Sequence, residues 1–78
     1  MKVDKLVYKD GSEVKYVEVE HFVDNFMSIV FEDDRSFIVN SDAIDYMIPA
    51  KTYYDKSIGN MVECFDYEEP PKGWENYV

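Results

Sequence analysis

His21 and Cys64 are the only histidine and the only cysteine of the chain, so a nucleophile and general-base pair of the cysteine type exists only if the fold brings these two together. Their ordinary roles are an exposed or locally satisfied imidazole and an inert, half-buried thiol. The reactive type present in abundance is the carboxylate, with 17 Asp and Glu against 8 Lys and Arg. Glu32-Asp33-Asp34 supplies clustered oxygens of the kind Ca²⁺ or Mg²⁺ prefers, as do Asp66, Glu68 and Glu69. Neither run has the alternating acids, central Gly and distal Glu of a calcium loop, so both are expected to be solvated turns. Three glycines form no phosphate-cradling loop, and no zinc spacing or serine-hydrolase elbow is present. No catalytic residue, metal or cofactor is expected, and the chain is read as a non-enzyme.

A net charge of −9 and a pI near 4.3, with one Trp, seven Tyr and five Phe in 78 residues, describe an acidic surface rich in aromatic contact area. Direct nucleic-acid binding is disfavoured because the cations are scattered singly, and Asp55, Asp66, Glu68 and Glu69 would repel phosphates from Tyr53, Tyr54 and Tyr67. The opposite partner fits better: carboxylates on a β scaffold imitate phosphates and occupy a Lys/Arg-rich groove, with aromatics holding the docked complex. Two faces are candidates. One comprises Glu32, Asp33 and Asp34 with Asp42 and Asp45. The other is the strip Asp55, Asp66, Glu68 and Glu69 beside Tyr53, Tyr54 and Trp74. The plain alternative is a solubilising acidic surface that imitates nothing.

Positioning these residues falls to short strands. Val3 to Tyr8 and Glu13 to Val19, rich in Val and Tyr, flank Lys9-Asp10-Gly11-Ser12, whose Asp-Gly pair suits a tight hairpin with positive φ angles. Alternation in the second arm breaks between Tyr16 and Val17, which predicts a bulge or bend and a curled sheet. Phe26 to Phe31 and Phe37 to Asn40 form a second hairpin around the polar run 32–36. A shift of 23 residues lays Val7 on Val30, Tyr8 on Phe31, Asp10 on Asp33, Val14 on Phe37 and Tyr16 on Val39; the echo is either an internal duplication or, more plainly, two hairpins built by the same rules. Ser41 caps a predicted helical turn through Met47, stopped by Pro49. Thr52 to Tyr54 and Met61 to Tyr67 read as further strands separated by a turn at 55–60.

The whole is expected to be mainly β: a small curled antiparallel sheet or barrel, SH3-like or OB-like, of five to six strands with one short helical turn. Residues 1–67 form a single β domain. Pro70 and Pro71 make 68–78 an extended C-terminal arm that ends in Trp74 and Tyr77, more readily folded back on the sheet than docked elsewhere. The lone cysteine, the absence of a signal-like start and the lack of an apolar run of roughly 20 residues point to the cytoplasm and away from a membrane.

The Lys9-Asp10-Gly11 hairpin, the acidic turn Glu32-Asp33-Asp34 and the lack of catalytic motifs in so short a chain resemble the small acidic proteins that phages and mobile elements use to disable host defences, anti-CRISPR proteins and nucleic-acid mimics among them. The resemblance is one of overall character across the chain and carries over no functional residue. It implies a stoichiometric inhibitor of a basic, nucleic-acid-handling host protein, such as a CRISPR effector or nuclease. Lys5, Lys9, Lys15 and Lys56 interrupt the acidic surface and favour a compact patch over long duplex imitation. The alternatives are a phage or mobile-element assembly protein acting as a homo-oligomer, and an oligomer that captures a small ligand.

Overall fold

Two Asp-led turns organise the first half of the chain. In a computed structural model, which describes residues 1–71 and the backbone of Trp74–Glu75, β1 (Lys2–Tyr8) runs into β2 (Glu13–Val23), and β3 (Phe26–Phe31) into β4 (Ser36–Asn40). At the first turn the Gly11 N–H donates to the Tyr8 carbonyl (2.9 Å) and the Tyr8 N–H to the Ser12 carbonyl (2.8 Å). At the second, Asp34 donates to Phe31 (3.0 Å) and Phe31 to Arg35 (2.8 Å). Asp10 Oδ1 accepts from the Ser12 N–H and Asp33 Oδ1 from the Arg35 N–H, so the 23-residue echo extends to hydrogen bonding. Each is a three-residue loop closed by one left-handed residue, Gly11 (φ 90°) or Asp34 (φ 67°). The Asp-Gly pair therefore supplies one positive φ, not two: Asp10 spends its side chain fixing the turn instead.

Strand β5 (Ile44–Pro49) returns to pair with β1, giving an antiparallel sheet in the order β4-β3-β2-β1-β5. The predicted helical turn through Met47 is confined to a 3-10 turn, Ser41–Ala43, and its cap is Asn40, whose side chain accepts from the Asp42 N–H. Pairing of 44–49 with the otherwise free edge of β1 satisfies more backbone groups than another helical turn would. Ile44 and Met47, three residues apart, both meet the core because the register of β5 shifts opposite Val7/Tyr8. That core is Val3, Leu6, Val17, Val19 and Ile29, each at most 4% exposed. β4 and β5 remain the two edges, so the sheet is curled and not closed into a barrel.

The predicted break in β2 is present. Tyr16 has φ 60°, a left-handed conformation that is costly for a bulky aromatic, and the opposing ladder between β1 and β5 shifts register across Asp4. The bend swaps the face that each side of β2 presents, which puts Val17 and Val19 inside and turns Tyr16 away from the core.

A second sheet holds β6 (Lys51–Asp55), β7 (Asn60–Cys64) and the two-residue β8 (Trp74–Glu75), in the order β7-β6-β8. β7 stops at Cys64 and not at Tyr67 because the Glu68 side chain takes the Phe65 N–H (2.8 Å) and the Phe65 carbonyl takes the Glu68 N–H (2.9 Å), closing a turn. The arm begun at residue 68 folds back at Trp74–Glu75, which pairs with Asp55 and Tyr54 of β6; Tyr77 lies outside the described residues. A radius of gyration of 14.0 Å exceeds the roughly 11.5 Å of a compact chain this long, as expected for two sheets lying side by side. No helix among the described residues is long and apolar enough to cross a membrane.

Candidate functional site: an acidic and aromatic groove between the two sheets

The bend at Tyr16 aims its ring at the turn that follows β7. Its hydroxyl donates to Asp66 Oδ1 (2.8 Å), and its ring meets Phe65 and Tyr67 edge-on at centroid distances of 5.6 and 4.7 Å. Asp66 is held in turn by its own N–H, which donates to Asp4 Oδ1 (3.0 Å). Near it, the Lys2 N–H donates to Glu63 Oε2 (3.1 Å) and the Ala50 N–H to the Lys2 carbonyl (3.0 Å). These polar links join the second sheet to the first.

Between the first sheet and the turn that follows β7 lies a groove of about 310 Å³. Phe31, Phe65, Tyr16 and Tyr67 form its apolar walls, and Glu18, Glu32, Asp34 and Glu68 its acidic rim. The Lys2 ammonium stands 4.9 Å from the Phe65 ring centre and 3.5 Å from Glu68 Oε1. On the far side of Phe31 a shallower hollow of about 250 Å³ continues past Glu32 and Asp33. There the Arg35 guanidinium lies 5.4 Å over the Phe31 ring with Nε 2.7 Å from Asp33 Oδ2. At both places a cation rests on an aromatic face beside a carboxylate, which is what ring quadrupoles and anionic oxygens favour together.

Electrostatics follow the same logic. Partial desolvation and then hydrogen bonding to Glu32 push the Tyr67 hydroxyl up to about 12, and its bond to Asp66 raises Tyr16 as well. Both phenols therefore stay neutral donors to carboxylates. Backbone and side-chain bonds from Arg35 hold Asp33 below the ordinary carboxylate range, as bonds from Ser12 do for Asp10.

The two acidic faces expected from sequence are recombined. Glu32 and Asp34 of the first meet Glu68 of the second in the groove, with Asp66 held behind it by Tyr16. Asp33 is engaged by Arg35. Asp42 and Asp45 lie beyond the other end of β4: the Ser41 N–H donates to the Asn25 carbonyl (2.7 Å) and the Lys9 N–H to the Ala43 carbonyl (2.9 Å), so this segment runs past the opposite turns. Asp55 is withdrawn from the strip altogether, 6% exposed and accepting from the Ser57 N–H and hydroxyl to shape its own turn. Tyr53 is half-buried and Tyr54 exposed on β6, neither lining the groove, while Glu69 is exposed beside it. Trp74 is placed only by its backbone opposite Asp55.

Sequence reasoning missed the groove walls Tyr16, Phe31 and Phe65 and the resident cation Lys2, and considered Tyr67 only as a platform for stacking bases. The break in alternation at Tyr16 was the available signal, since a bend there must eject one aromatic from the core side. His21 contacts the Asp24 carbonyl (3.1 Å) at the end of β2, and Cys64 is buried in the second sheet, its thiol raised by desolvation. Among the described residues no set of three His, Cys, Asp or Glu side chains is arranged to hold a metal.

No protein-family model, curated protein or solved structure matches the chain. A fold class alone names no function.

Proposed function

We propose that this chain is a non-enzymatic inhibitor or regulator that binds a basic, nucleic-acid-handling protein of a bacterial host cytoplasm, such as a CRISPR effector or nuclease, by taking its Arg or Lys side chains into the groove. The observation that carries this reading is the pair of internal cations on Phe65 and Phe31, each beside a carboxylate. A site that holds its own Lys2 at 3.5 Å, in a half-exposed pair of little net strength, exchanges it readily for a better placed guanidinium from a partner. The net charge of −9 attracts a basic surface over a distance, and the aromatic walls retain it after contact.

The test is retention of bacterial nucleic-acid-binding proteins on the immobilised chain over a salt gradient, with the wild type beside E32K/D34K/E68K. The reading requires a salt-eluted set of such proteins that the charge-reversed chain fails to hold, and displacement of their DNA or RNA by the free wild-type chain. Identical retention by both chains would remove the groove from the account. K2A, which vacates the Phe65 face, is expected to bind more tightly than wild type.

A further inference from the structure

The sheet edges are not equally protected. β5 is interrupted by two register shifts against β1 and carries Pro49, which has no N–H to offer, and β7 carries Glu63. β4 has none of these devices. It is Ser-Phe-Ile-Val-Asn, it pairs with β3 in unbroken register from Phe26↔Asn40 to Val30↔Ser36, and among the described residues no strand pairs with its outer side. The Phe31-to-Arg35 bond closes the hairpin, so by antiparallel alternation Phe37 and Val39 exchange bonds with β3, while Ser36 and Ile38 direct N–H and C=O outward. Phe37 and Ile38 are 49% and 50% exposed. Beside them the mouth of the curled sheet opens into an apolar cavity of about 280 Å³ lined by Tyr8, Ile29, Phe31, Phe37, Ile38 and Val39.

Charge decides the occupant. Carboxylates stand at both ends of β4: Glu32, Asp33 and Asp34 before it, and Asp42 after it with Asp24 in the adjacent turn that receives Ser41. Two cations stand at the first end, Arg35, already paired with Asp33, and Lys15, beside Glu32, against three carboxylates; at the other end the Lys9 backbone bonds Ala43 next to Asp42. A second copy docking antiparallel on β4 would set the 32–34 turn of one chain toward Asp42 of the other, acid against acid. We infer that β4 accepts an extended segment of a partner protein as an added strand, one with alternating apolar residues flanked at both ends by Lys or Arg. Its backbone bonds to Ser36 and Ile38, its apolar side chains enter the cavity beside Phe37, and its cations meet the flanking carboxylates. This surface shares Phe31, Glu32 and Asp34 with the groove but not Tyr16, Phe65, Tyr67 or Glu68, so variants of these last four tell the two apart.

The probe is a synthetic peptide of alternating Val and Thr with Lys-Arg at each end, titrated into the ¹⁵N-labelled chain. Binding should shift the Ser36 and Ile38 amides and slow their hydrogen exchange. The same peptide N-methylated at alternate amides, which keeps its side chains and charge, should bind about tenfold more weakly, the loss expected from one or two backbone bonds. Replacing its ends by Glu should abolish binding, and I38K, at a half-exposed position, should weaken it with the fold intact. Equal binding of the N-methylated peptide, shifts confined to Tyr16 and Tyr67, or a chain that dimerises through β4 in sedimentation would each overturn the inference. An E68K variant that still binds the peptide separates this outcome from failure of the groove.

Discussion

The five-stranded sheet and the small sheet are held by different forces. The first closes over Leu6, Val3, Val17 and Ile29, all at most 1% exposed, so its stability is mostly apolar burial. Among the described residues the second buries only Ala50, Asp55, Cys64 and Phe65 in and beside its strands, and it is tied to the first by hydrogen bonds that involve Lys2, Tyr16, Asp4 and Ala50. Apolar burial tolerates changes of pH and salt, whereas directional polar links do not. The groove lies where the two regimes meet, on the side that charge controls.

Deleting core volume should expose this difference most strongly. Leu6→Ala is expected to lose about 2–5 kcal/mol in urea unfolding, since it empties a fully buried site. Met61→Ala on the small sheet, at a side chain 41% exposed, should change little. Equal losses would show that the sheets share one core.

Two glycines of positive φ give a smaller contrast. Gly11 (φ 90°) and Gly59 (φ 66°) each have open space where a Cβ would stand, so alanine at either adds only left-handed strain, about 1–2 kcal/mol. Gly11→Ala should lower global stability by that amount. Gly59→Ala should raise hydrogen exchange only in β6 and β7 and leave the global midpoint nearly unmoved.

Cys64 reports opening of the second sheet, because burial makes its thiol slow and raises its pKa. Tyr16→Phe removes the bond to Asp66 and should speed Cys64 labelling severalfold while exchange at Leu6 stays unchanged. No acceleration would mean that apolar contact, not the Tyr16 link, holds the junction.

Alkaline pH probes the same junction more gently. The folded state binds the Tyr67 proton more tightly than the unfolded state, so the associated stability is complete below about pH 10 and disappears as pH rises toward about 12. Absorbance titration of phenolate should show this late group, and E32Q should bring it down. The smallest effect belongs to the first sheet's surface: removing the exposed Lys5–Glu13 pair (3.2 Å) should cost at most about 0.5 kcal/mol.

The first sheet was largely legible from sequence because its strands and turns are local. Alternation located both hairpins, Asp10 and Gly11 announced their turn, and the parity break found the bend at Tyr16. What failed was non-local. Residues 44–49 carry a spacing that mimics a helix, and only pairing with β1 makes them a strand. Strand-like composition at 65–67 conceals a turn that Glu68 closes. The acids Glu32, Asp34 and Glu68 were named, but their grouping depends on how the small sheet is hung, which no local pattern encodes.

The most direct measurement is an NMR titration of the labelled chain with N-acetyl-arginine amide against its neutral isostere N-acetyl-citrulline amide. The account predicts saturable shifts at Tyr16, Phe31, Phe65 and Tyr67 for the arginine compound alone, lost in E32Q/E68Q. Equal response to both compounds, or shifts that survive in the double variant, would contradict a cation-binding groove at the junction of the two sheets.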